Sequence, residues 1–103
     1  PEVTIDSQRV QFPPGSTGTT VSDRASATVI KRYLVNAGRR QILSVRVANG
    51  AVTLNIRYPN GNLVADASNV LEWESELPRG GDYQIDVVAE QDADFQIDIN
   101  VRN

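Results

Sequence analysis

Apolar and polar residues alternate with a period of two along most of this chain. Leu43, Val45 and Val47 are separated by Ser44 and Arg46, and Val52, Leu54, Ile56 and Tyr58 by Thr53, Asn55 and Arg57. The alternation recurs in Tyr83, Ile85 and Val87 and, most regularly, in Phe95, Ile97, Ile99 and Val101. Successive side chains of an extended strand point to opposite sides, so each run describes a strand with one buried and one wet face. Turn chemistry falls between the runs: Pro13-Pro14-Gly15, Ala37-Gly38, Asn49-Gly50, Pro59-Asn60-Gly61 and Pro78-Arg79-Gly80-Gly81. Asn49-Gly50 between two alternating runs predicts a hairpin. Pro59-Asn60-Gly61 predicts a tight turn in which proline leads and glycine accepts positive φ. The pattern predicts about nine short strands, over 8–12, 18–21, 28–36, 41–47, 52–58, 62–65, 71–76, 82–88 and 94–101, and no substantial helix. Many short strands with frequent turns read as an all-β sandwich or barrel.

With 103 residues the chain has room for one core and no second. Residues 8–103 read as that single domain. Residues 1–7 read as an N-terminal extension or an edge strand, because Val3 and Ile5 alternate with Thr4. Thirteen valines and seven isoleucines against six leucines suit a pleated surface. Cysteine, histidine and methionine are absent, which removes disulfides, thiolate nucleophiles, thiolate zinc sites, imidazole bases and imidazole metal ligands. No apolar stretch approaches the ~20 residues of a membrane helix. A chain that opens at Pro1 reads as processed or trimmed.

The net charge of −3 conceals a split. Residues 1–60 carry eight basic and three acidic groups, residues 61–103 two basic and ten acidic. No basic field suited to nucleic acid results.

Candidate chemistry is sparse. A carboxylate pair could hydrolyse a glycoside, but Glu72, Glu74 and Glu76 share one face of one strand, opposite Leu71, Trp73 and Ser75, and that face reads as solvated. Without histidine no Ser–His–Asp arrangement forms, and the chain reads as non-enzymatic with no cofactor. Glu90, Asp92 and Asp94 bunch in a predicted hairpin loop and form a candidate calcium set, oxygen ligands being what calcium takes. A central glycine and a distal bidentate glutamate are missing there. Of the six aromatic residues, Tyr33, Tyr83 and Phe95 belong to the core by position, and Trp73 falls on the apolar side of its strand as well.

Several stretches together carry a resemblance. Val10-Gln11-Phe12-Pro13-Pro14-Gly15-Ser16-Thr17 is followed by Tyr33-Leu34-Val35-Asn36-Ala37-Gly38, then Gln41 and Leu43-Ser44-Val45-Arg46-Val47, then Tyr58-Pro59-Asn60-Gly61. Trp73 leads into Leu77-Pro78-Arg79-Gly80-Gly81-Asp82-Tyr83-Gln84-Ile85-Asp86-Val87. This order, spanning Arg9 to Arg102, resembles the bacterial pre-peptidase C-terminal-like domains and, within them, the periplasmic inhibitors of goose-type lysozyme. Its most specific part is leucine-proline, two spacers, then glycine-aspartate-tyrosine and an alternating strand. The resemblance implies a jelly-roll-like antiparallel β-sandwich, secreted or periplasmic, that binds a lysozyme-type muramidase through loops bearing basic and tyrosine side chains. In this chain the last loop, Glu90-Gln91-Asp92-Ala93-Asp94, is acidic instead. The alternative is a structural or accessory subunit of a larger extracellular assembly or of a processed enzyme. Gly15, Tyr33, Trp73, Leu77, Pro78, Gly81, Asp82 and Tyr83 read as the architectural residues of the motif.

If the strands from residue 28 onward run strictly up and down, their connections alternate between two ends. Arg39, Arg40 and Arg79 then share one end with Asp82, and Asp66, Glu90, Asp92 and Asp94 share the other. Opposite charge at opposite ends suits head-to-tail self-association.

Overall fold

The computed structural model describes residues 2–103, so Pro1 lies outside the described residues. Among these, eight strands form: β1 Thr4–Arg9, β2 Gly18–Ala25, β3 Val29–Ala37, β4 Ile42–Asn49, β5 Thr53–Arg57, β6 Glu72–Glu76, β7 Gly81–Val88 and β8 Ala93–Arg102. They make two four-stranded sheets, ordered β1-β3-β7-β5 and β2-β8-β4-β6. The pairs are antiparallel except β1 with β3, which run parallel at the edge of the first sheet.

The inward halves of the alternating runs meet between the sheets. Tyr33, Val35, Tyr83, Ile85, Val87, Leu54 and Ile56 come from the first sheet, and Leu43, Val45, Phe95, Ile97, Ile99 and Val101 from the second. Each such aliphatic or aromatic side chain withdrawn from water contributes about 1.5–3 kcal/mol. Tyr33 packs edge-on against Phe95, with ring centroids 6.3 Å apart, and Trp73 rests partly buried against the core.

Every step from one named strand to the next, apart from β5 to β6, is short, and all seven steps cross between sheets. Two expectations change here. Asn49-Gly50 does not close a hairpin, because β4 belongs to the second sheet and β5 to the first. Residues 89–92 likewise arch from β7 across to β8 rather than joining paired neighbours. A period of two specifies which face is buried but not which strand lies alongside, so both arrangements satisfy the pattern equally.

The expected strand over 62–65 is a single bridge, Arg57 to Leu63, inside a longer return segment. That segment runs back along β5, with Val64 N donating to Ile56 O, Ile56 N to Ala67 O and Leu54 N to Val70 O. Asp66 and Asn69 have φ of 62° and 55°, left-handed values that interrupt extended geometry. Val64 and Ala67 are nevertheless buried, so the segment caps the sheet edge without being a strand. The first strand also lies earlier than 8–12. Pairing with β3 starts at Thr4, and proline at 13 and 14 leaves Val10 and Phe12 as packing residues. Polar residues of β1 bond to neighbouring strands at the sandwich margin: Asp6 accepts from Lys31 Nζ at 2.6 Å, and Gln8, itself exposed, donates to Asp23 at 3.3 Å. The Tyr33 hydroxyl donates to the same Asp23 at 3.1 Å, so this polar group closes the gap between the two sheets.

The registers bring the connections to two ends. Ala37 faces Gly81 and Ile42 faces both Glu76 and Arg102 at one end; Thr53 faces Val88 and Ala25 faces Ala93 at the other. The body measures 39 Å along its longest axis.

Candidate functional site

The end that gathers residues 38–41, 58–62 and 77–80 is built on backbone hydrogen bonds between neighbouring turns. Gln41 N donates to Gly38 O, closing a turn whose tip is Arg39-Arg40, and the Gln41 side chain accepts from Gly38 N at 2.6 Å. Arg40 takes a φ of 71°. Its amide donates to Leu77 O, while Leu77 N donates back to Gln41 O. The arginine turn is thereby tied to the buried Leu77 that precedes Pro78-Arg79.

The second turn follows its sequence closely. Gly61 N donates to Tyr58 O across Pro59-Asn60, Asn60 Oδ1 accepts from Asn62 N, and Gly61 sits at φ 91°. Tyr58 packs edge-on against the buried Tyr83 at 6.2 Å, and the Arg79 guanidinium lies 5.8 Å over the Tyr58 ring. The Tyr83 hydroxyl donates to Arg79 O at 2.7 Å, fixing the chain at the point from which Arg79 projects. Gly81 has φ 144°, and a Cβ there would stand 2.7 Å from Pro59 Cγ. The leucine-proline-to-tyrosine motif is thus a device that positions the Arg79 loop against the Tyr58 turn.

Asp82 is also at this end, but it does not neutralise these arginines. Arg9 grips it with two bonds, at 2.9 and 2.7 Å, and Asn36 donates a third at 3.0 Å. Among the described residues Arg39, Arg40 and Arg79 enter no ion pair, and all three are exposed. Glu76, exposed at the end of β6, is the carboxylate that flanks them.

Hydrogen bonding from Arg9 holds the Asp82 carboxyl far below the usual carboxylate range, and Arg46 does the same for Asp98 to a lesser extent. A folded-state value below the unfolded ~3.9 means stability present above that pH and lost as pH falls through the folded value. The melting temperature of the wild-type protein is therefore expected to fall more steeply below about pH 4 than that of Asp82→Asn. Melting curves between pH 2 and pH 7 check this, and parallel profiles for the two proteins would remove the Arg9–Asp82 contribution.

At the far end Glu90, Asp92 and Asp94 are exposed around the β7–β8 arch. Asp92 meets Arg24 at 3.4 Å. Among the described residues no three acidic groups converge to hold a metal ion, so the calcium set Glu90, Asp92 and Asp94 is not assembled. The arch spreads its carboxylates along the rim instead of folding them inward. Asp66 does not join them either. It sits on the return segment between Val64 and Ala67, both bonded to Ile56, partway along the flank of the sandwich. Glu72 and Glu74 border a shallow polar groove with Ser44, Arg46, Asp98 and Asn100 on the outer face of the second sheet. Their partners are local: Glu74 pairs with Arg102 at 3.1 Å and Asp98 with Arg46 at 2.9 Å.

Two features escaped the sequence reading. Tyr58 is a partly exposed platform for Arg79 rather than a core residue, for which the adjoining Pro59-Asn60-Gly61 turn was the available signal. Asp86, at a position that reads as wet, is 2% exposed. It is clasped by Arg32 at 2.7 and 3.0 Å and by Arg57 at 3.1 Å. Nothing in the local pattern marks it.

No family model and no curated protein sequence matches this chain. Solved structures do. The chain is similar to PliG of Aeromonas hydrophila, a periplasmic lysozyme inhibitor of g-type lysozyme, with 16% identity, a TM-score of 0.82, and coverage of 96% of this chain and 98% of that one. It is similar to a mutant of the Escherichia coli PliG at 15% identity and a TM-score of 0.75, covering 97% of this chain and 100% of that one. For the Salmonella Typhimurium PliG the identity is 16% and the TM-score 0.73, over 94% of this chain and 98% of that one. No helix among the described residues is long and apolar enough to cross a membrane. At this level of identity the likeness establishes architecture: the chain shares the fold of the periplasmic inhibitors of g-type lysozyme.

Proposed function

We propose that this chain is a periplasmic or secreted, non-enzymatic protein-binding module that inhibits a g-type lysozyme through its arginine-bearing end. The observation that carries this reading is the convergence of Arg39, Arg40 and Arg79, with Tyr58 beneath Arg79, on one end of a fold shared with such inhibitors. Glycoside hydrolases work through carboxylates, so a basic end with an aromatic platform complements a cleft of that kind. The acidic β7–β8 arch would repel the same cleft, but it stands at the opposite end of the sandwich and need not face the enzyme. The wider likeness to pre-peptidase C-terminal-like domains belongs to this proposal too.

A turbidity assay of cell-wall lysis by g-type lysozyme tests it. Excess wild-type protein is expected to slow lysis, and the double variant Arg39→Glu/Arg79→Glu to weaken inhibition about 100-fold, equivalent to ~2.7 kcal/mol. Glu90→Arg at the far end is expected to leave inhibition unchanged. Undiminished lysis with wild-type protein in excess overturns the reading. The alternative, an accessory subunit of a larger assembly, is supported by the outer edge of β1, which among the described residues pairs with no further strand and is largely exposed. Such an edge accepts an added strand.

A further inference from the structure

We propose that this chain associates end to end with copies of itself, the arginine-bearing end of one copy seating in a groove beside Glu90 at the opposite end of the next. The proposal does not depend on lysozyme inhibition.

The groove lies where the β4–β5 arch, the last residues of the return segment and the β7–β8 arch meet. Val52, Leu71, Val88 and Ala89 supply apolar walls, and Glu90 stands on the rim. Leu71 is 61% exposed and contributes apolar surface to the groove. An apolar floor with one carboxylate, Glu90, on its rim matches an arginine: the aliphatic stem lies along the walls while the guanidinium reaches Glu90. Arg24 answers Asp92 at this end, leaving Glu90 and Asp94 without an ion pair among the described residues.

The two surfaces are held apart by the strands themselves. β8 runs for ten residues between the ends, about 33 Å at ~3.3 Å per residue. One molecule cannot bring its own ends together, so the complementary surface comes from a second copy. Like ends repel, which disfavours a two-fold pairing of basic with basic or acidic with acidic. Contact between unlike ends is heterologous and extends from copy to copy instead of closing as a dimer. Because Arg39, Arg40 and Arg79 serve this contact, a copy engaged there is unavailable to another acidic partner.

The chain contains no cysteine, so single-cysteine variants report on proximity without background. Gly80→Cys and Gln91→Cys, each in the full chain and each retaining Arg39, Arg40, Arg79 and Glu90, are oxidised mildly, separately and mixed, in about 0.01 M salt. Both positions are exposed, Gln91 lines the groove, and a Cβ at Gly80 meets no atom closer than 3.4 Å. Disulfide-linked dimer is expected at least about tenfold faster in the mixture than in either variant alone, since only the mixture places a cysteine at position 80 against one at position 91 of a partner. Equal rates in all three samples, or no crosslink in the mixture, overturn the proposal. Sedimentation velocity on the wild-type protein supplies a second reading. Its average mass is expected to rise with concentration in about 0.01 M salt, where the screening length is ~30 Å, and to return to monomer near 1 M, where it is ~3 Å. A monomer under all these conditions refutes end-to-end contact, whatever the outcome of the lysis assay.

Discussion

Asp86→Ala is expected to destabilise the protein by about 3 kcal/mol, lowering its melting temperature by on the order of 15 °C. Asp86 sits in the middle of β7 on the outer face of the first sheet, directly across from Arg32 in β3. Arg57 of β5 reaches it from the diagonal position, two residues beyond Asn55, which lies opposite Asp86. The Asp86 side chain is 3% exposed while those of Arg32 and Arg57 retain 21% and 29%. Removing the carboxylate leaves two guanidinium groups side by side, each still reaching some water, which places the loss at the lower end of the range for breaking a buried pair. Arg57 keeps one other bond, to Gly61 O at 2.9 Å, so the loss also loosens the turn that carries Tyr58. Asp86→Asn, which keeps an acceptor and the shape but not the charge, is expected to fall between the two. Urea unfolding checks the series, and an alanine variant within 1 kcal/mol of wild type would show that the clasp contributes nothing net.

Gly50→Ala is expected to cost about 3 kcal/mol, by a different route. Gly50 has φ 106°, and a Cβ there would collide with the backbone oxygen of Asp94 and come within 2.8 Å of Phe95 Cα. Neither obstacle is the tip of a flexible side chain, so β8 would have to move, adding an overpacking cost of about 1–3 kcal/mol to a conformational cost of about 1–2 kcal/mol. Gly61 separates the two contributions. Its φ is 91°, yet nothing lies within 4 Å of a Cβ built on it. Gly61→Ala is therefore expected to cost only about 1 kcal/mol, the conformational share. Equal losses for the two alanines in chemical unfolding would mean that the approach of the arch to β8 is not tight.

Gly50 also shows where reading the chain stops. Asn49-Gly50 was legible as a reversal between two strands, and the reversal exists. That it carries the chain from one sheet to the other, pressing Gly50 against β8, depends on which strands become neighbours. Alternation leaves that open. The same holds for Glu90-Gln91-Asp92-Ala93-Asp94, which reads correctly as a connection and wrongly as a hairpin. The segment after 62–65 cannot continue as a strand because Asp66 and Asn69 adopt left-handed backbone, a conformation that these two residue types take more readily than most. In β1 the alternation marks no buried face: Ile5 is exposed, and Asp6 and Gln8, both still reaching water, bond to Lys31 and Asp23.

The candidate site divides similarly. Alternating direction was enough to gather Arg39, Arg40 and Arg79 at one end, because strands that reverse at each turn have no other choice. It was not enough to show that Arg9, from the edge strand, would occupy Asp82 and leave those arginines unpaired. Tyr58 falls on the apolar side of its run, yet its place at a turn makes it the platform for Arg79.

Local chemistry alone, then, determines that this chain forms strands, which faces the core-lining strands present between the sheets and where they turn, since these follow from side-chain alternation and backbone preference within a few residues. Strand neighbours, the clasp around Asp86 and the unpaired charge at each end were decided only in the folded body. They depend on contacts between residues far apart in the chain, such as Arg9 with Asp82 and Arg32 with Asp86, and no short-range pattern encodes those distances.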